Sequence, residues 1–236
     1  MIEAMIAGET DPETLSELAK RKLKSKKKDL KRALNGLVGP HQKLMLAAQL
    51  RHIDYLDDEI DGLDDEIKKR MLPFEEELEL LDTIPGVARR TAETLLAEIG
   101  VNMDQYPSAA HLCSWAGMCP GQNESAGKRL SGKTRKGNKK LRSTLVEAAK
   151  AAARTKETYL SSQYHRIAAR RGANRATVAV AHSILSMAYY ILKRKQPYIE
   201  LGPTYYEERK RDVIIRHSIK KLEALGVSIK IEPTAS

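Results

Sequence analysis

The stretch from Ser125 to Arg142, SAGKRLSGKTRKGNKKLR, places eight lysines and arginines, three glycines and three hydroxyl side chains in eighteen residues without one acid. Such a segment suits a polyanion. Lys128, Arg129, Lys133, Arg135, Lys136 and Lys139 can follow a phosphate backbone, and a flexible Gly-rich loop lets main-chain N–H groups approach the same oxygens. A serine hydroxyl among these cations is also a candidate nucleophile on a phosphodiester, because neighbouring positive charge stabilises the charge that accumulates on the phosphoryl oxygens. Ser125, close to Lys128 and Arg129, and Ser131, followed by Gly132 and Lys133, fill that role equally well from the residues alone. Nothing comparable points to a metal. Cys113 and Cys119 have no second pair and read as core cysteines. The eight acids between Asp54 and Glu66 have the dense spacing of an exposed helix face.

The composition limits what can position this chemistry. The chain has 236 residues, 42% hydrophobic and 31% charged, with one Phe and one Trp against many Ala, Leu, Ile, Lys and Glu. That mixture predicts an all-α protein with an aliphatic core. The net charge of +10 favours an acidic partner. The opening MIEAMIAGET has neither a charged n-region nor an apolar h-region, and no apolar run suggests a membrane span, so the expectation is a cytoplasmic protein without membrane contact.

Two parts emerge along the chain. A helical arm is expected over residues 1–72. Thr10 and Glu13 form a capping-box pair around Asp11-Pro12, predicting one helix through LSELAKRKLKSKKKDLKRAL to a stop near Asn35-Gly36, its lysines forming a solvated positive face. From Leu46, apolar residues recur at sevens through Ile53, Ile60, Ile67 and Phe74, with Leu56 and Leu63 between them. This heptad seam predicts a coiled coil or helical hairpin, and homo-oligomerisation through the arm, up to a break at Pro73.

The second part, residues 73–236, opens with LLDTIPGVARRTAETLLAEIG, whose apolar spacing predicts two short helices across an Ile84-Pro85-Gly86-Val87 turn. This resembles the helix-hairpin-helix motif, in which the turn of Pro85, Gly86 and Val87 would hold a phosphate through the main-chain N–H groups of its non-proline residues without reading bases. Ala88 stands where such hairpins carry a second glycine. Ser108 is a plausible N-cap for the next helix, and Ala-rich helices follow from Lys139 and from Asn174. His182 lies on an apolar helix and reads as a core histidine. Arginines 166, 170, 171 and 175 form a second positive cluster, equally suited to phosphate or to solvent. VSIKIE near the C-terminus has the pattern of a short strand.

The I-P-G turn, the W-A-G-x-x-P step at Trp115, the S-A-G-K run at Ser125, the K-x-G-N run at Lys136 and the L-R opening an Ala-rich helix occur in one order. In this the chain resembles the C-terminal transposase part of a family of bacterial insertion sequences, the IS-one-ten type. Its enzymes pair a RuvC-like DEDD nuclease domain with a serine-bearing domain and are guided by a bridge RNA. The resemblance implies that Ser125 is the nucleophile and that DNA and a guide RNA are partners. It also implies that Mg²⁺ belongs to the nuclease domain, which has no counterpart here, so that no cofactor is expected in this chain. Serine-mediated strand cleavage and transfer with a separate nuclease domain is the leading expectation. A catalytically inactive, truncated transposase that binds DNA or regulates is the alternative, and a general repair or nucleoid protein is the third.

Overall fold

The computed structural model describes residues 1–36, 38–121, 123–209 and 211–226, and the chain divides into two compact units, Met1–Leu72 and Pro73–Ser236. Among the described residues the fold is all-α apart from one short β-hairpin.

The first unit holds α1 (Ile2–Ala7), α2 (Pro12–Glu17), α3 (Lys27–Leu34) and α4 (Pro40–Met71). Asp11, and not Thr10, caps α2: its carboxylate accepts from Glu13 N at 3.3 Å and Thr14 N at 2.9 Å, with Pro12 in the first turn. The single helix expected to run on to Asn35 is instead broken after Glu17, and a 3-10 segment over Arg21–Lys26 leads into α3. A continuous helix would leave its apolar stripe in water. Folding α3 back on α2 buries Leu15, Ser16 and Ala19. Lys27 pairs with Glu17 and Lys31 with Glu13, so part of the lysine face is neutralised within the unit.

Helix α4 packs near its start against α1. Beyond that contact the heptad residues Ile53, Leu56, Ile60, Leu63 and Ile67 are 38–63% exposed. The helix stops at Met71, and a 3-10 turn over Leu72–Phe74 spans Pro73, which cannot donate to the helical ladder.

The second unit holds α5 (Glu75–Asp82), α6 (Arg89–Ile99), α7 (Ala109–Trp115), β1 (Asn123–Ser125), β2 (Lys128–Ser131), α8 (Lys139–Arg154), α9 (Tyr159–Arg171), α10 (Ala173–Arg194), α11 (Tyr205–Arg209) and α12 (Arg211–Ala224). Helix α10 is the hub and packs on α5, α7, α8 and α9. Val180, Ala181, Ile184, Leu185 and Ala188 on it are fully buried. Contrary to the reading of the sequence, α10 is long and apolar enough by length and composition to cross a membrane, with a mean hydropathy of 1.2. Its place at the centre of the unit accounts for that apolarity. Alanines 148, 149 and 152 on α8 bring helix backbones close, which matters for the turn described below.

Past α10, Arg166 lies 3.6 Å over the Tyr206 ring and Tyr159 stacks on Tyr206, fixing α11 against the start of α9. The VSIKIE segment lies outside the described residues.

Lys195, just past α10, donates to the largely buried Glu77 carboxylate. That hydrogen bond holds the Glu77 pKa below its usual 4.5. A depressed carboxyl pKa stabilises the fold above the unfolded value and loses that contribution as pH falls through the folded one. Lys195→Met is expected to cost about 1–2 kcal/mol at neutral pH, because it leaves a shielded acceptor without its donor. It should also flatten the decline in stability below pH 4.5. Urea titrations at several pH values check both.

Candidate nucleic-acid interface

The basic segment is not the flexible loop that its glycines suggest. Its first part is an antiparallel β-hairpin in which Ser125 pairs with Lys128, Glu124 with Arg129 and Asn123 with Ser131, the skipped Leu130 making a bulge. The two turn residues, Ala126 and Gly127, both have positive φ, 50° and 74°. This is the pattern of a primed two-residue turn, whose twist matches the strands it joins. The pairing continues beyond the strands. Gly121 N donates to the Lys133 carbonyl at 2.8 Å, Pro120 bridges to Thr134, and Arg135 N donates to the Cys119 carbonyl at 3.3 Å.

The base of this arm is clamped. A Cβ on Gly137 would lie 2.4 Å from Gly117 N and 2.5 Å from Ala116 C, an approach only glycine allows. The cations are therefore presented from an anchored scaffold, which lowers the entropy lost on binding a strand.

Ser125 and Lys128 are exposed and directly opposite at the tip, so their side chains share one face. Ser131 sits at the other end of the ladder, across from Asn123. Lys133, Arg135 and Lys136 follow as exposed residues on the returning strand side. Asn138 then caps α8, its carboxamide oxygen accepting from Leu141 N at 3.0 Å while its amide nitrogen donates to Glu98. Lys139, Lys140 and Arg142 thus occupy the first turn of α8, which contains no acid. Cations add to the positive end of a helix dipole there, an unfavourable arrangement in isolation that an anion would relieve.

The Pro85-Gly86 turn has a different setting. Val87 N donates to the Ile84 carbonyl at 2.9 Å, and Gly86 has φ of 86°, which fits a type II turn with Pro85 at its second position. Ile84 and Val87 are buried. A Cβ on Gly86 would meet the Ala148 carbonyl at 2.4 Å and Ala152 N at 2.5 Å, so the turn is wedged against α8. Arg89, at the start of α6, is held by Glu75 and Glu93. Contact with a phosphate at Pro85, Gly86 or Val87 would fall to main-chain groups.

A cleft of about 1020 Å³ opens between the hairpin base and α8, α9 and α10. Arg142, held by Thr134, lines it, as do Lys133, Gln163, Arg175 and His182. His182 is therefore a half-buried cleft residue and not a core one. The arginine cluster splits: Arg175 faces the cleft, Arg166 stacks on Tyr206 and Arg170 donates to the Arg166 carbonyl. Gln163 and Ser183 carried no signal in the sequence, since helical polar residues look like solvent-facing ones until the packing is known, and Arg142 was legible only as the end of the cationic run. The spacing of Arg175, Ala179, His182 and Ser183 along one face of α10 was the available clue.

Cys113 is buried with its thiol pushed up to about 11 by desolvation, whereas Cys119 is half-buried at the hairpin base and not in the core. Among the described residues no group of three His, Cys, Asp or Glu is placed to hold a metal ion.

Residues 78–166 match the family described as Transposase IS116/IS110/IS902. The chain is 29% identical over 163 residues to the transposase for insertion sequence element IS1111A of Coxiella burnetii, an alignment covering 67% of this chain and 44% of that protein. It is 31% identical over 112 residues to the transposase for insertion sequence element IS1328 of Yersinia enterocolitica, covering 47% and 33%. The chain spans less than half the length of each. The matched segment runs from α5 into α9 and takes in the whole cationic hairpin.

Proposed function

We propose that this chain, with its insertion-sequence transposase domain over residues 78–166, acts on DNA in transposition through Ser125. In this reading the Ser125 Oγ–phosphorus bond forms as one P–O bond of the strand breaks. The hydroxyl proton leaves to solvent or a base, and the departing strand oxygen takes up a proton. A phosphoserine link of this kind keeps the phosphodiester's energy for rejoining. The observation that carries the reading is the exposed serine at the tip of an anchored cationic hairpin, facing Lys128. Lys128, Arg129, Lys133, Arg135, Lys136 and Lys139 then serve as sequence-independent phosphate contacts. The Pro85-Gly86-Val87 turn adds the Gly86 main-chain N–H in the manner of a helix-hairpin-helix, since Pro85 has no N–H and that of Val87 goes to the Ile84 carbonyl. Metal chemistry comes from a separate nuclease domain, and a guide RNA supplies target choice. The apolar face of α4, exposed over Ile53–Ile67, favours self-association through the arm.

The test is covalent trapping on element-end DNA, with and without Mg²⁺, a separately supplied nuclease domain and guide RNA, followed by mapping of the linked residue. A phosphoserine at Ser125 is the expected result, and linkage elsewhere overturns the assignment. No adduct under any condition, with salt-sensitive binding retained, favours the second reading, a DNA-binding regulator. The short acid-free α8 start and the hairpin serve that reading equally.

Lys133→Ala and Lys136→Ala are each expected to weaken binding to unrelated DNA sequences and to reduce the slope of log affinity against log salt by about one. Unchanged slopes in both variants would remove the phosphate-tracking role of this segment.

A further inference from the structure

Helix α7 buries Leu112 and Cys113 fully and presents Ala110, His111, Ser114 and Trp115 on its outer face, where a surface helix carries polar residues. Trp115, the chain's single Trp, is 47% exposed there. An isolated exposed apolar side chain is ordinary, but this indole stands on a fixed frame and beside a second ring. Gly117, at a φ of 70°, ends the helix: its N–H donates to the Ser114 carbonyl at 3.1 Å and that of Met118 to the Cys113 carbonyl at 2.9 Å, which pins the last turn. Tyr106 packs against the indole with ring centroids 5.9 Å apart and planes tilted by 53°, so the two rings do not stack on each other. The Tyr189 hydroxyl donates to the Tyr106 carbonyl at 3.2 Å and fixes that side as well.

The setting is cationic. Gly117 is the residue against which Gly137 is clamped, so Trp115 stands two residues from one side of that clamp and Lys139 two residues from the other. On the Tyr106 side, Lys193 lies 3.7 Å from Asp104 and Arg194 lies 4.9 Å over the Tyr190 ring. The outer face of α7 itself holds no acid. The exposed half of one indole offers on the order of 100 Å², far below the ~800 Å² per partner that a stable protein contact needs. A nucleobase is a flat π-face of matching size. Bases in a duplex cover each other's faces, whereas an unpaired base has one to give. We propose that Trp115, with Tyr106 beside it, is a stacking platform for one unpaired base of a DNA strand whose phosphates run along the hairpin base and the start of α8. The inference rests on the DNA-processing reading and adds to it a preference for an opened strand, which phosphate contacts alone do not supply.

Because the indole is the only one in the chain, its fluorescence, excited beyond tyrosine absorption, reports this site alone. The experiment titrates the full chain with DNA oligonucleotides of one length, single-stranded, abasic or duplex, and follows Trp emission together with anisotropy of the labelled DNA across a salt series. The single strand is expected to quench the emission as it saturates the chain, while the abasic strand binds and leaves it unchanged. Trp115→Ala should lower single-strand affinity about tenfold, equal to about 1.4 kcal/mol, without changing the salt slope or the duplex affinity. Trp115→Phe, which keeps a ring, should stay within about threefold of wild type. The wild-type emission decides the question by itself if the alanine variant folds poorly. Emission unmoved by a single strand that binds with normal salt sensitivity overturns the platform and leaves the DNA reading standing. Equal quenching by the abasic strand, or an equal loss of duplex affinity in Trp115→Ala, also overturns it, since neither needs a free base face. Absence of salt-sensitive binding to any of the DNAs overturns both readings. A preference of about tenfold or more for an RNA strand of the same sequence overturns the assignment to DNA.

Discussion

Ser125→Ala is expected to abolish covalent strand linkage, lowering it at least about 10³-fold, while DNA affinity and thermal stability stay at wild-type values. The expected separation of chemistry from binding follows from the geometry. Ser125 is exposed at a hairpin tip and packs against nothing in the core, so removing its hydroxyl leaves no cavity. The cations that would hold the strand lie on other residues: Lys128 across the ladder, then Lys133, Arg135 and Lys136 toward the base. Ser131→Ala provides the contrast, since Ser131 belongs to the opposite end of the ladder and should keep linkage. Trapping and anisotropy on the same preparations check the prediction. Loss of linkage in Ser131→Ala with full activity in Ser125→Ala would reassign the nucleophile.

The largest effect on stability is expected at Gly86. Gly86→Ala asks an L-residue to hold a φ of 86° and puts its methyl carbon 2.4 Å from a backbone carbonyl on α8. Left-handed strain costs about 1–2 kcal/mol and overpacking about 1–3 kcal/mol, giving a loss of about 2–5 kcal/mol for the second unit. The neighbours cannot yield cheaply, because the contacts are the main chain of a 16-residue helix with α6 and α10 packed on it. Gly127→Ala isolates the strain alone. Its φ is 74°, but nothing lies within 4 Å of the added methyl, so the cost is about 1–2 kcal/mol at most. Urea unfolding of the two variants separates the contributions. Similar losses at both positions would mean that the α5–α6 turn is not seated on α8.

The close fit at Gly86 also bears on how this turn relates to nucleic acid. A glycine pressed on α8 and a buried Val87 make the turn a joint of the core. Phosphate contact through its main chain and a purely structural use of the same residues place one identical demand on the sequence, a Pro-Gly pair between two apolar stripes. That is why the motif was legible there and its role was not.

Periodicity and composition determined much by themselves. The all-α class follows from an aliphatic, aromatic-poor chain with 3.6-residue spacing, and helices α5, α6, α8 and α10 follow from their own apolar stripes, because both are properties of short windows. The clustering of cations between residues 125 and 142 is likewise a local fact. Tertiary structure alone decided the rest. The break after Glu17 depends on what α2 can bury, which no capping signal records. The hairpin depends on pairings of residues 119–121 and 123–125 with residues 128–135, where glycines that read as flexibility are points of closest approach. The cleft depends on Gln163, His182, Arg142 and Arg175, on three helices, whose polar side chains line one cavity only once those helices pack. Local patterns carry the elements because backbone hydrogen bonding is local. Close contacts and shared faces are sums over residues far apart in the chain.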